Sequence, residues 1–230
     1  MVRFVKRFWL AMPSNVRVAT EVILGVAFLV VATVAPLLTE ASTDSIQQTN
    51  APAVSTSEAG LDLREYLSEA TVRYGDHECE RWTGNRWDCD LEPWLWVGKH
   101  QGRVSTPTGP EWRPCIWAHA QARNGRAVPL SITWNDVQWV GSLTGEVAIL
   151  DTPVPGGPAQ FRVLVDGEQR ASVRVSNAAN RRDHERRWKP WSVGAKSFGG
   201  GQHEVTFEIT ASDGSWRQLC FSARMEPEAL

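Results

Sequence analysis

From residue 71 onward, the chain is a succession of short segments in which apolar residues alternate with polar ones or form short clusters, separated by Gly, Pro, Asn and Asp. Alternation with a period of two is typical of a β-strand that buries one face. Many short strands at this spacing, with no long helical pattern between them, are typical of an antiparallel β-sandwich or barrel, so we predict an all-β fold. The predicted strands lie at residues 71–75, 94–98, 112–119, 129–134, 143–150, 160–166, 170–176, 187–193, 203–211 and 216–223.

Two of these segments carry more specific signals. Asp166-Gly167 separates two alternating runs in FRVLVDGEQRASVRV, and this pair is typical of the two-residue turn of a β-hairpin. In HEVTFEIT the alternation predicts that Val205, Phe207 and Ile209 point into the core.

The chain before these strands has a different composition. LDLREYLSEA, residues 61–70, places Leu63, Tyr66 and Leu67 at helical spacing and predicts a short helix that docks on the domain. Residues 39–60, TEASTDSIQQTNAPAVSTSEAG, contain almost no large apolar side chains. Such a segment buries too little surface to order itself, so we predict a flexible tether.

An apolar run precedes the tether. Residues 18–38, VATEVILGVAFLVVATVAPLL, carry one charge, Glu21, and as a helix they would span roughly 31 Å, about the thickness of the hydrocarbon layer of a bilayer. Basic residues precede the run and none follows it closely, so the positive-inside rule predicts that residues 1–17 are cytoplasmic and that the domain at 61–230 is exported. The small residues of Thr39-Glu40-Ala41 leave open a cleaved signal peptide, but the run is longer than the apolar region of a typical signal peptide, which favours an uncleaved anchor.

The charge distribution agrees with this topology. The formal net charge of -2 is too small to indicate a nucleic-acid partner. Positive residues are concentrated before the apolar run, at Arg3, Lys6, Arg7 and Arg17, and the rest of the chain is mildly acidic. The first partner that the sequence predicts is therefore the lipid bilayer.

Export determines how the cysteines are interpreted. In an oxidising compartment an even number of cysteines is most simply a set of disulfides, although four cysteines permit three pairings. We predict a short clip between Cys79 and Cys89 and a long-range link between Cys115 and Cys220. The alternative is a zinc site that combines the first two cysteines with His77 or His100, but their spacing is not that of the usual zinc motifs.

Three stretches of the sequence form an ordered series of patterns. The first is a strand that leads to a small-residue turn, and the second is a V-x-V-D-G hairpin. The third is a tryptophan-containing strand and a Gly-rich turn before a V-x-F-x-I strand. They are LSITWNDVQWVGSLTGEVAILD (130–151), AQFRVLVDGEQRASVRV (159–175) and RRWKPWSVGAKSFGGGQHEVTFEITASDG (186–214). This order resembles the galactose-binding-like jelly roll, the two-sheet sandwich of many carbohydrate-binding modules. RPCIWAHA together with RQLCF is similar to exported domains of bacterial membrane proteins, some of them attached to glycosyltransferases. The resemblance implies a bacterial inner-membrane protein with a periplasmic or extracytoplasmic domain, and a partner that is envelope glycan or a membrane glycan-processing protein.

Tryptophans are concentrated in residues 79–98, CERWTGNRWDCDLEPWLWVG. In a strand, Trp94 and Trp96 project from the same face and are the expected core contributors, whereas Trp82 and Trp87 flank a Gly-Asn turn and are the expected exposed pair. Because sugar rings stack their C–H faces on indole, this segment predicts a ligand site in which polar neighbours bind hydroxyl groups. The candidate ligand-binding residues are Trp82, Trp87, Trp94, Trp96, Asp88, Asp90 and Arg86, with Arg81 nearby. The alternative is that the indoles only cover this segment and pack on the sandwich.

A second candidate set lies in NRRDHERRWKPW and comprises His184, Arg186, Arg187, Trp188 and Trp191. The mixed charges of this stretch favour a solvated loop. As a site it would contact an anionic glycan or a phospholipid headgroup, because Arg binds carboxylate and phosphate groups through two parallel hydrogen bonds.

The signals for catalysis are few. Asp88 with Asp90 or Glu92 is a possible carboxylate pair of the glycosidase type, but acids two residues apart are commoner as turn formers or calcium ligands, so a structural calcium ion is the one cofactor left open. His119 in CIWAHA is expected to be structural, and no G-x-S-x-G, H-E-x-x-H or P-loop motif occurs. We therefore expect a non-enzymatic protein that binds envelope glycan. The alternatives are an assembly subunit of an envelope complex and, third, a hydrolase.

The predicted topology is testable with alkaline phosphatase, which folds only in an oxidising compartment. Fusion after residue 60 should give an active reporter, whereas fusion within residues 1–17 should give an inactive one. Activity from the N-terminal fusion would contradict the topology, and release of the product from washed membranes would show a cleaved signal peptide rather than an anchor.

Overall fold

The computed structural model describes residues 60–106, 108–123, 126–151, 157–176, 188–194, 198, 200–211 and 217–227. In chain order its strands are β1 (Leu61–Asp62), β2 (Thr71–Tyr74), β3 (His77–Glu78), β4 (Arg81–Trp82), β5 (Arg86–Asp88), β6 (Trp96–Thr106), β7 (Gly109–His119), β8 (Gln121–Arg123), β9 (Arg126–Val128), β10 (Leu130–Trp139), β11 (Gly141–Ile149), β12 (Ala159–Val165), β13 (Glu168–Val175), β14 (Lys189–Val193), β15 (Gly201–Ala211), β16 (Gln218–Phe221) and β17 (Arg224–Pro227). The one helical element among the described residues is a 3-10 turn at Leu67–Glu69.

The predicted membrane segment at 18–38, the N-terminal residues 1–17 and all of the predicted tether at 39–60 except Gly60 lie outside the described residues. Within the part of the chain that the structure describes, no helix has the length and apolar character needed to cross a bilayer.

The strands form two large antiparallel sheets. Sheet A has nine strands in the order β1-β17-β11-β16-β7-β6-β5-β4, with β14 also paired to β11. Sheet B has six strands in the order β13-β12-β15-β10-β2-β3, and β8 pairs with β9 in a separate ribbon. Aromatic rings from both sheets meet in one core, where the ring centroids of Phe161, Phe207 and Phe221 lie 5.0 to 5.6 Å apart. This confirms the predicted all-β antiparallel sandwich, while its narrower assignment to the galactose-binding-like jelly roll stays a prediction.

Every predicted strand overlaps a strand of the structure. Val205, Phe207 and Ile209 are fully buried, as their alternation predicts. The Asp166-Gly167 hairpin is also confirmed, because both residues have a positive φ, 52° and 77°, between β12 and β13. The sequence missed short strands such as β4, since its two residues are too few to show alternation.

The predicted helix at residues 61–70 is wrong. Leu61 and Asp62 instead pair with β17, and the turn that follows buries Leu63 and Leu67. The carbonyl oxygen of Tyr66 accepts a hydrogen bond from the Trp134 indole at 2.9 Å, and that of Leu67 accepts one from Trp87 at 2.8 Å. These carbonyl oxygens therefore accept hydrogen bonds from indole N–H groups, whereas in a helix they would accept them from backbone amides.

Both predicted disulfides are confirmed. Cys79 is bonded to Cys89 and Cys115 to Cys220, with sequence separations of 10 and 105 residues. The second disulfide lies on the face of sheet A that points away from sheet B. Alternation shows this, because Ile116 and Phe221 belong to the main core while Cys115 and Cys220 belong to a second buried cluster. We call this second group the outer cluster, and its buried members are Val104, Cys115, Trp117, Ala148, Leu150, Trp188 and Cys220.

Sheet A curls over the outer cluster. Strands β6 and β16 are separated by β7, so in a flat sheet their backbones would lie roughly 10 Å apart. Yet a Cβ added to Gly102 of β6 would lie 2.6 Å from Cys220 Sγ and 2.9 Å from a methyl carbon of Leu150. Strand β6 therefore bends back onto the disulfide, and only a residue without a side chain fits at position 102.

Replacing Gly102 with alanine should destabilise the protein by about 1 to 3 kcal/mol, the usual cost of overpacking a closed site. Gly194→Ala is the matched control, because a Cβ there has no neighbour within 4 Å, and it should change stability by less than about 0.5 kcal/mol. Denaturant unfolding under non-reducing conditions measures both variants. Equal stability of the two variants would contradict a tight contact between β6 and the disulfide.

Candidate functional site

The candidate site lies in the segment at residues 77–95, which we call the clipped lobe because the Cys79–Cys89 disulfide closes it. Strands β4 and β5 form its hairpin, in which Arg81 pairs with Asp88 and Trp82 with Trp87. Gly84, with a φ of 88°, lies in the connecting turn, as the Gly-Asn pair predicted. Strand β5 then pairs with β6, so the lobe extends sheet A at one end.

The lobe contains an open pocket of about 350 Å³. Three of the predicted polar ligand residues, Arg86, Asp88 and Asp90, line it together. The other lining residues are Arg81, Cys89, Leu91, Glu92, Pro93 and Leu95. The structure thus brings together side chains that can donate or accept hydrogen bonds and apolar side chains.

Ion pairs join four of the five charged groups that line this pocket. Asp88 contacts both arginines, with Oδ1 2.7 Å from Arg86 Nε and Oδ2 3.2 Å from Arg81 Nη2. The same Arg81 nitrogen lies 2.9 Å from Asp90 Oδ1. Only 16% of the Asp88 side chain is exposed, so it is the least solvated member and positions both guanidinium groups.

The expected division of the tryptophans is wrong. Trp82 and Trp87, the expected exposed pair, are half-buried, lie 5.5 Å apart and pack against the main core. The Trp87 indole also donates to the Leu67 carbonyl oxygen. Both rings are therefore structural, since they pack against the main core.

Trp94 and Trp96, the expected core contributors, lie elsewhere. Trp94 precedes β6, in a turn where the Leu95 amide donates to the Glu92 carbonyl oxygen, and it is 54% exposed. Trp96 is the first residue of β6 and is half-buried on the outer face of the sheet. Leu95 and Val97 occupy the core positions instead. The predicted alternation of tryptophan and aliphatic residues is therefore observed, but the aliphatic residues, and not the tryptophans, face the main core.

The outer face of sheet A contains one tryptophan, Trp117, that the sequence did not indicate as part of a site. Trp96 stacks on Trp117 with a centroid distance of 3.7 Å, and the Arg86 guanidinium lies 5.2 Å from the centroid of Trp96. Gly98 makes room for this arrangement, because a Cβ there would lie 2.5 Å from the Cβ of Arg86 and 3.1 Å from the Trp96 ring. Alternation in CIWAHA could have indicated Trp117, since it places that ring on the same face as Cys115.

A further exposed indole, Trp112, was also missed. It is 63% exposed on β7 and pairs with Arg103, whose guanidinium lies 5.9 Å from the ring centroid. Position 103 lies toward the far end of β6 from Trp96, so Trp112 is remote from the pocket of the clipped lobe.

The alternative metal sites do not fit the structure. Disulfide formation removes Cys79 and Cys89 as zinc ligands, and His77 Nε2 instead lies 2.7 Å from the Cys89 carbonyl oxygen. Asp88 and Asp90, the possible calcium ligands, are paired with arginines. Among the described residues, no group of three or more His, Cys, Asp or Glu side chains could hold a metal ion.

Most of the second candidate set, residues 181–187 with His184, Arg186 and Arg187, lies outside the described residues. Its two tryptophans are buried on opposite faces of sheet A: Trp188 in the outer cluster, and Trp191 in the main core over Gly145. Neither indole is available as a surface platform.

His119 ends β7 and is buried beside Trp117, with ring centroids 6.0 Å apart. Burial lowers the pKa of its imidazole, and the nearby charge of Arg217 acts in the same direction. Its carbonyl oxygen accepts a hydrogen bond from the buried Tyr74 hydroxyl at 2.9 Å, so the residue links the two sheets. These contacts agree with the structural role that the sequence predicted.

No family model matches this sequence, and no curated protein matches it. Weak structural similarity is found to the CBM51-2 and INT domains of Clostridium perfringens ZmpB in complex with GlcNAc, at 16% identity and a TM-score of 0.41, covering 56% of this chain and 27% of that one. CBM27-1 of Caldicellulosiruptor saccharolyticus in complex with mannohexaose is 13% identical over 74% of this chain and 97% of that one, with a TM-score of 0.40. The Stig cyclase Fisc of Fischerella sp. TAU is 12% identical over 76% and 92%, with a TM-score of 0.39. Similarity at this level carries no argument about function.

The buried state of His119 predicts a pH dependence of stability. Because its pKa in the folded protein lies below the ordinary value of 6.5, the unfolded chain binds a proton first as the pH falls, and stability is lost progressively below about pH 6.5. His119→Gln should therefore reduce this slope in the unfolding free energy, measured by denaturant unfolding over a series of pH values. An unchanged slope in the His119 variant would refute this assignment.

Proposed function

We propose that this chain is an exported, membrane-anchored protein that binds cell-envelope glycan, and that the pocket of the clipped lobe, together with Trp94, is its binding site. The observation that carries this proposal is the position of a half-exposed indole between Pro93 and Leu95, two residues that line a pocket of about 350 Å³.

The chemistry of the pocket suits a carbohydrate. A sugar ring stacks its C–H face on indole, and its hydroxyl groups need donors and acceptors at fixed positions. Arg81 and Arg86 supply donors, and Asp88 and Asp90 supply acceptors. Because ion pairs already hold these groups in place, little side-chain freedom is lost when a ligand binds.

Two features support an extracytoplasmic location. Both disulfides form, and disulfides persist in oxidising compartments. The apolar segment at 18–38 and the basic residues before it suit a signal anchor with a cytoplasmic N-terminus. The proposed setting is the bacterial inner membrane, with the sandwich on its outer side.

We propose binding rather than catalysis. A glycosidase needs one carboxyl group that donates a proton and a second that acts as base or nucleophile. Asp88 and Asp90 both accept from guanidinium groups in this structure. This arrangement favours holding a ligand over proton transfer.

An assembly role is the second candidate. Leu91 is 39% exposed at the pocket and Trp94 is 54% exposed beside it, which gives the lobe a small apolar surface. Such a surface suits contact with another protein, here a membrane glycan-processing protein.

Binding of envelope glycans to the full chain in detergent tests the proposal. Trp94→Ala should weaken binding by about tenfold or more, because stacking on an indole is a large part of sugar affinity. Trp112→Ala is the matched control, since it removes a somewhat more exposed indole far from the pocket, and it should change affinity less than about twofold. Absence of glycan binding by the wild type would overturn the proposal, and co-purification of a membrane protein that Trp94→Ala abolishes would favour the assembly role.

A further inference from the structure

The charges of the pocket do not cancel. It is lined by two arginines, Arg81 and Arg86, and by three acidic residues, Asp88, Asp90 and Glu92. The ion pairs described above use both arginines and both aspartates. No hydrogen bond or ion pair joins the Glu92 carboxylate to another described residue, so this carboxylate is the uncompensated charge of the pocket.

This imbalance separates ligands by charge. An anionic ligand, such as a uronic acid or a phosphorylated sugar, has to compete with Asp88 and Asp90 for guanidinium groups that are already paired. A cationic ligand can approach Glu92 without breaking an ion pair. The exposed Trp94 indole, two residues along the chain, can hold the sugar ring and also attract a positive charge over its face.

We propose that the pocket recognises a glycan with free, protonated amino groups, such as a glucosamine-type sugar without its N-acetyl groups, and that Glu92 accepts a hydrogen bond from the ammonium group. This inference rests on the proposed function, because it names the class of sugar that the same site takes. In this arrangement Asp88 is a positioning residue, because it pairs with both arginines.

The test measures binding of three oligosaccharides of equal length to the full chain in detergent. They are a cationic glucosamine oligomer, its neutral, fully N-acetylated counterpart and an anionic uronic acid oligomer. At about pH 6, where primary amines carry a proton, calorimetry should show the glucosamine oligomer binding about tenfold more tightly than the N-acetylated one. The uronic acid oligomer should bind most weakly. Raising the pH until the amines are neutral should remove most of the preference.

Glu92→Gln should weaken binding of the glucosamine oligomer by about three- to tenfold and change binding of the N-acetylated oligomer by less than about twofold. Glu80→Gln is the matched control. It removes the same charge from an exposed glutamate of the clipped lobe that does not line the pocket, and it should preserve the preference.

The outcomes separate the two proposals. If the three oligomers bind equally, or the uronic acid oligomer binds best, and Trp94→Ala still weakens binding, the charge preference is wrong and glycan binding stands. If Glu92→Gln weakens binding of all three oligomers equally, Glu92 does not discriminate between ligands by their amino groups. If no oligosaccharide or envelope glycan binds, the proposed function is overturned and the preference with it.

Discussion

The packing of strand β6 against the Cys115–Cys220 disulfide is the contact on which the outer face of the sandwich depends. The disulfide is fully buried although it lies on the face of sheet A that points away from sheet B. Gly102 permits this, since its missing side chain lets β6 bend onto the sulfur atoms. The curl gives sheet A a second apolar layer, and this layer contains Trp117.

From Trp117 a series of contacts leads to the pocket of the clipped lobe. Trp96 stacks on Trp117, Arg86 lies over Trp96, and Asp88 holds Arg86 and Arg81. Individual surface ion pairs contribute little to stability. Here Arg86 contacts Trp96, which stacks on the buried Trp117, so the main effect of the ion pairs is to fix where the donors and acceptors of the pocket lie.

The same arrangement leaves one carboxylate and one indole of the clipped lobe outside the ion pairs and the packing. Asp88 and Asp90 neutralise the arginines, and Trp82, Trp87 and Trp96 are used in packing. Glu92 and Trp94 follow the second cysteine of the clip, in a turn before β6 begins, and both side chains are exposed. Side chains that a structure leaves unused beside a pocket are the natural place to seek a ligand contact.

The sequence by itself determined the longer strands and the Asp-Gly hairpin, and it indicated that the four cysteines form two disulfides. These depend on local periodicity, on the φ values that two adjacent residues tolerate, and on an even number of cysteines in a chain that looks exported. It also located three of the polar pocket residues, because they lie within one short segment. It misassigned residues 61–70 as a helix, since Leu63 and Leu67 have helical spacing but their surroundings take up the carbonyl groups of the turn. Only the tertiary structure decided which indoles face water. Alternation along β6 assigns Trp96 to one face of sheet A, but it does not show that an apolar layer covers each face. The outer layer depends on a disulfide between residues 105 positions apart, which local periodicity cannot reveal.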